Sequence, residues 1–172
     1  MEKRCNKCSG FSLVEIIISI AIFSVLIGIT TMNYRLNQDI RDTKLESLKV
    51  HDIIKKAQSL SMTGQSFDGI YFENFSVKAD NCEGSICQSL KLFGNNGQEN
   101  IIQTLELPKA GIVESDTAVN FISPRGKAQI TVNDESTSTA FFYLINYKNN
   151  DIKMCVRVSA ISGRIDVLKE CQ

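Results

Sequence analysis

The sequence predicts an α+β chain in which one long N-terminal helix, membrane-spanning in its first half and amphipathic in its second, carries an antiparallel β head. Three observations carry that reading. Phe11 to Met32 is an almost unbroken apolar run with Glu15 as its one charge. Beyond it, Val50, Ile53, Ile54, Ala57 and Leu60 recur at helical spacing. Past Gly64, short β-like runs are separated by Gly, Pro and Asn turn signals.

The apolar run has 22 residues. As a helix it is roughly 33 Å long, enough for a bilayer core of about 30 Å. It exceeds the apolar region of a secretory signal, about 7–15 residues, and Thr30-Thr31-Met32-Asn33-Tyr34 offers no small-residue cleavage pattern. A soluble core seldom needs a helix this apolar for this length. Glu15 lies in the second turn. A carboxylate costs about 2.5–3.5 kcal/mol at the bilayer centre and less near an interface. No Lys or Arg lies within the run, so the partner of Glu15 is expected on another molecule. Lys3, Arg4 and Lys7 precede the run against a single acid, Glu2, which places the N-terminus in the cytoplasm by the positive-inside rule.

The second helical half, about residues 33–64, sets its apolar stripe against Lys49, Asp52, Lys55 and Lys56 on the other face, with Leu36 and Ile40 extending an earlier stripe. Gly64 is the expected stop. The head from residue 65 to 172 is then read from strand candidates at Gly69–Glu73, Ser89–Phe93, Ile101–Leu107, Ala118–Ile122, Ala128–Val132, Phe141–Tyr147, Lys153–Ser159 and Arg164–Leu168. The last two form a hairpin whose apolar face is Met154, Val156 and Val158, matched by Ile165 and Val167. Asp134–Thr139 reads as a polar loop.

Charge and cysteine chemistry narrow the function. The chain holds 19 basic and 19 acidic side chains. Setting aside the three leader cations, Glu2 and Glu15 leaves 16 basic against 17 acidic residues from Asn33 onward. A charge-driven nucleic-acid binder carries a basic excess, and this chain has none. Cys5 and Cys8 precede the membrane run. Cys82, Cys87, Cys155 and Cys171 follow it and read as two disulfides of an exported head, with three connectivities open. Cys82 and Cys87 enclose a turn-like loop, and a bridge to Cys171 would tie down the C-terminus. Their spacing is not that of a zinc site, so no metal and no cofactor is expected. With one histidine, His51, and no P-loop, nucleophile elbow or metalloprotease motif, the chain does not read as an enzyme.

Ser9-Gly10-Phe11-Ser12-Leu13-Val14-Glu15 resembles the type III signal of type IV pilins and type II secretion pseudopilins. The resemblance implies that a prepilin peptidase removes residues 1–10 by cutting between Gly10 and Phe11, and that the same enzyme methylates the new amine of Phe11. It also implies that Glu15 pairs with the terminal amine of a neighbouring subunit in the filament. Assembly in that family runs through an inner-membrane platform driven by a separate ATPase. The head of the family is a β-sandwich packed on the long helix and held in the periplasm.

Two shorter segments, Val119–Gly126 and Ser159-Ala160-Ile161-Ser162-Gly163-Arg164-Ile165, are similar to those of H-type minor pseudopilins (GspH) and their FimT/FimU relatives. Met32 stands where major pilins often carry a kink proline, which is compatible with a minor subunit. The alternative implied by the FimT likeness is DNA capture through a Gly-Arg-x-Arg motif, with Arg157 and Arg164 as candidate contacts. Here the motif reads Gly163-Arg164-Ile165-Asp166, and the acid opposes phosphate binding.

Overall fold

A computed structural model describes residues 12–64, 66, 69–113, 117–122, 127–132 and 135–169. Helix α1 runs Leu13–Thr63, and ten strands follow. The chain divides into two compact units, residues 1–38 and 39–172, with the boundary inside α1.

In the first unit the side chains described from Ser12 to Thr31 are all exposed. The most apolar stretch of α1 reaches a mean hydropathy of 2.5 over 18 residues, long and apolar enough to cross a membrane.

In the second unit, the rest of α1 packs on an antiparallel sheet. Thr43, Glu46, Ser47, Val50, Ile53, Ile54, Ala57 and Ser61 are buried, a spacing of three and four that marks one helix face. The expected apolar stripe is the centre of that face, with Leu60 partly buried at its margin. Leu36 and Ile40 stay exposed and are not part of it. Leaving the helix, Gly64 takes a left-handed φ of 59°, which stops the helix as its position predicts.

The strands are β1 (Asn74–Glu83), β2 (Ile86–Asn95), β3 (Glu99–Glu106), β4 (Ala110–Val113), β5 (Thr117–Ile122), β6 (Lys127–Val132), β7 (Glu135–Thr137), β8 (Thr139–Asn146), β9 (Lys153–Ser159) and β10 (Ile165–Leu168). They form one sheet in the order β10-β9-β8-β4-β2-β1-β5-β6-β7, with β3 also on β2. The fork arises because β2 shares one edge between two strands. Ser89–Asn95 pair with β3, while Ile86 and Cys87 pair with β4. Leu107 donates its N–H to the Gln88 carbonyl between them (2.9 Å), and Pro108, which has no N–H to give, follows where the chain leaves that edge. The sheet curls until β8 comes close to β5 and β6. The two layers expected of a sandwich are therefore two halves of one sheet.

Alternation builds the core. Ala140, Phe142 and Leu144 of β8, Met154, Val156 and Val158 of β9, and Leu90 and Leu92 of β2 all point inward. Ile165 and Val167 lie opposite Val158 and Val156, the register expected of the last hairpin. Gly94 leaves space for an aromatic ring: a Cβ there would stand 2.7 Å from the ring of Phe72.

Three strand expectations change. Gly69–Glu73 is not a strand, and only Ile70 joins a bridge; the strand begins at Asn74. β1 hides from periodicity because its second half, Lys78–Glu83, has no apolar alternation and is held by pairing with β2. Asp134–Thr139 contains β7, three exposed residues that finish one sheet edge. A polar, very short strand is a usual way to end a sheet without inviting further pairing.

Candidate functional site: membrane carboxylate and head clamp

Among the described residues of the apolar run, from Ser12 to Thr31, the one charged group is Glu15. Glu15 lies in the first turn of α1. Ser19 donates its hydroxyl to the Glu15 backbone carbonyl (2.8 Å), and among the described residues no cation pairs with the carboxylate. The hydroxyls of Ser24, Thr30 and Thr31 behave as Ser19 does. Ser24 bonds the Ile20 carbonyl, Thr30 those of Leu26 and Ile27, and Thr31 that of Gly28. Each is satisfied within its own helix, so the run carries its polar atoms into an apolar medium at little cost. Glu15 is the exception: among the described residues nothing supplies its counter-charge. Gly10 and Phe11, the expected cleavage and methylation residues, lie outside the described residues.

The head unit is built to hold its share of the helix rigidly. Asn146, at the end of β8 and 2% exposed, donates through its side-chain amide to the Asp39 carbonyl (3.1 Å) and the Thr43 hydroxyl (2.9 Å). Its carbonyl oxygen accepts from the backbone N–H groups of Lys148 and Asn149. One side chain therefore ties the helix to the sheet and shapes the β8–β9 turn. Beside it, Lys109 donates to the Asp42 carboxylate (2.9 Å). One turn further along, the buried Glu46 is met by the Lys49 ammonium at 3.1 and 3.2 Å. Burial, and then the charges of Glu46 and Glu83, raise the Tyr147 hydroxyl above its ordinary pKa, so it stays protonated.

At the other end of this helical segment, Gln58 donates its amide to the Gly163 carbonyl (2.9 Å). Gly163 has φ 65°, and a Cβ there would stand 2.8 Å from the Gln58 nitrogen. The left-handed backbone favours glycine, and a Cβ would push the Gln58 amide out of this bond. The Ser162-Gly163 turn is thus a docking point for the helix.

The two candidate DNA-contact residues meet on one carboxylate. Arg157 donates to Asp166 Oδ2 (2.9 Å) and Arg164 to Asp166 Oδ1 (2.7 Å). The Arg157 hydrogen bond, then that of Arg164, holds the Asp166 carboxyl below its ordinary value. Asp166 thereby offsets one of the two positive charges, and Arg164 stays 73% exposed.

Cys82 and Cys87 are bonded to each other across the β1–β2 hairpin, directly opposite in register. The loop they were expected to enclose is the tip of that hairpin. Cys155 is also disulfide-bonded; Cys171, its candidate partner, lies outside the described residues.

A model for one family matches the N-terminal end of this chain. It is the prokaryotic N-terminal methylation motif, and it covers residues 5–31. The matched stretch contains the Gly10–Phe11 bond, Glu15 and the apolar half of α1. It supports the pilin and pseudopilin class of filament subunit and points to a structural subunit anchored in a membrane. No curated protein and no solved structure matches the chain.

Sequence reasoning missed the clamp. Its signal was present: the helical period of Val50, Ile53, Ile54 and Ala57 continues backward through Ser47, Glu46 and Thr43. A stripe sought in apolar residues ends at Val50, whereas the buried face does not.

Proposed function

We propose that this chain is a minor pilin or pseudopilin. Prepilin peptidase cuts between Gly10 and Phe11 and methylates Phe11. The subunit then waits in the inner membrane, with its head on the periplasmic side, until an assembly platform driven by a separate ATPase adds it to a filament. The observation that carries the reading is the methylation motif at residues 5–31 lying on an apolar helix whose single charge is Glu15. Glu15 receives the amine of a neighbour's Phe11, and in low dielectric that contact sets axial register between subunits. The clamp of the head keeps the helix fixed to the sheet, so a load applied to the helix reaches the head.

DNA capture is the weaker reading, because Arg157 and Arg164 are both engaged by Asp166. Mass spectrometry of protein extracted from membranes tests the proposal. The expected species lacks residues 1–10 and carries one added methyl at Phe11. An intact leader in a cell with an active prepilin peptidase overturns it.

A further inference from the structure

The outward face of β1, β5 and β6, away from α1, forms an open groove of about 770 Å³. Strand register sets its floor. Asn120 of β5 stands directly opposite Gln129 of β6, and Asn74 of β1 is diagonal to Asn120, being paired with Ile122 two positions away. Directly opposed side chains are about 5 Å apart at Cβ and diagonal ones about 7–8 Å, so three carboxamides line one track. None of the three has a hydrogen-bond partner among the described residues, although Asn74 and Asn120 are half-buried. Their polar atoms are open to the groove rather than sealed in the protein.

One wall is charged but neutral in sum. Lys78 lies over the Phe93 ring, 5.5 Å from its centroid, and its ammonium is 2.5 Å from the Glu99 carboxylate. Ion pair and ring together fix Lys78, and Glu73 adds a further carboxylate to the lining, so the groove opposes phosphate, sulfate or uronate. Ala118, opposite Lys78, and Ile122, opposite Asn74, add a small apolar patch at each end. Each carboxamide offers both donors and an acceptor. A row of such groups beside apolar patches complements a ligand whose own groups both donate and accept, on rings with apolar faces.

From this chemistry we infer that the groove is a binding site for a neutral oligosaccharide, held by Asn74, Asn120 and Gln129. The inference is independent of filament assembly.

Isothermal titration of the detergent-solubilised full-length chain with chitotetraose and with maltotetraose tests it. The expected result is saturable binding of at least one of them, little changed by added salt. Asn120→Ala and Gln129→Ala are each expected to weaken it about tenfold, the equivalent of one lost net hydrogen bond, with unaltered thermal unfolding. Asn150→Ala, in the β8–β9 turn, leaves binding unchanged. Three results would overturn the site: no saturation by either sugar up to about 10 mM, wild-type affinity in both groove variants, or a salt-sensitive preference for an acidic oligosaccharide over both probes.

Discussion

Asp166 faces two guanidinium groups and has little solvent of its own, with 17% of its side chain exposed. Its carboxyl is held below the ordinary value of 3.8, so the folded protein favours the ionised form more than the unfolded chain does. The sign follows. The stabilisation is fully present above the unfolded value, near 4, and is lost as pH falls through the lowered folded value. Asp166→Asn is therefore expected to lower the urea midpoint at pH 7 and pH 5, with the gap from wild type narrowing below pH about 4. A constant gap down to pH about 2.5 would mean that Asp166 acts by packing alone. Asn146 acts at the same scale through hydrogen bonds. Asn146→Ala leaves the buried Thr43 hydroxyl and the Lys148 and Asn149 amides short of a partner. The expected loss is about 3 kcal/mol, read from urea unfolding at unchanged slope; a loss below about 1 kcal/mol would show that water replaces it.

The helix makes its prediction through its two faces. Ile54 is fully buried against the sheet, whereas Leu45 is 56% exposed. Ile54→Ala is expected to cost about 2–5 kcal/mol and Leu45→Ala less than about 0.5 kcal/mol, measured on the full chain in detergent. Comparable losses would contradict the assigned face. These elements differ in how openly the sequence declares them. The apolar part of the helical face was legible because Val50, Ile53, Ile54 and Ala57 keep a period that only a helix places on one side. The closing hairpin was legible for the matching reason, a period of two from Met154 to Val158. β1 was not, since Lys78 to Glu83 has no inward set of its own and owes its conformation to Lys91, Leu90 and Ser89 across the pair. The clamp was illegible because polar residues cannot be assigned to a core before their partner is known, and Asn146 is 107 residues from Asp39.

At the scale of the whole molecule, a carboxylate with no ion-pair partner among the described residues sits in a run otherwise fit for a membrane, and the head holds the later part of the same helix. That division predicts separable failures. Glu15→Ala removes a charge that opposes insertion, so the variant should enter the membrane at least as well as wild type. Glu15 belongs to the unit of residues 1–38, and the thermal unfolding of the head is expected not to move. Assembly is where the loss is expected. With the carboxylate gone, a neighbour's terminal amine is left unpaired in low dielectric, and a pair broken in that way costs about 3–5 kcal/mol, or a factor of hundreds or more in incorporation. Comparing the sheared filament fraction with the membrane fraction measures it. Glu15→Ala in filaments at the wild-type level would remove the register role, whereas loss from the membrane fraction would place Glu15 in insertion or stability instead. Asn146→Ala should do the reverse, lowering the unfolding midpoint of the head while the contact at Glu15 stays intact.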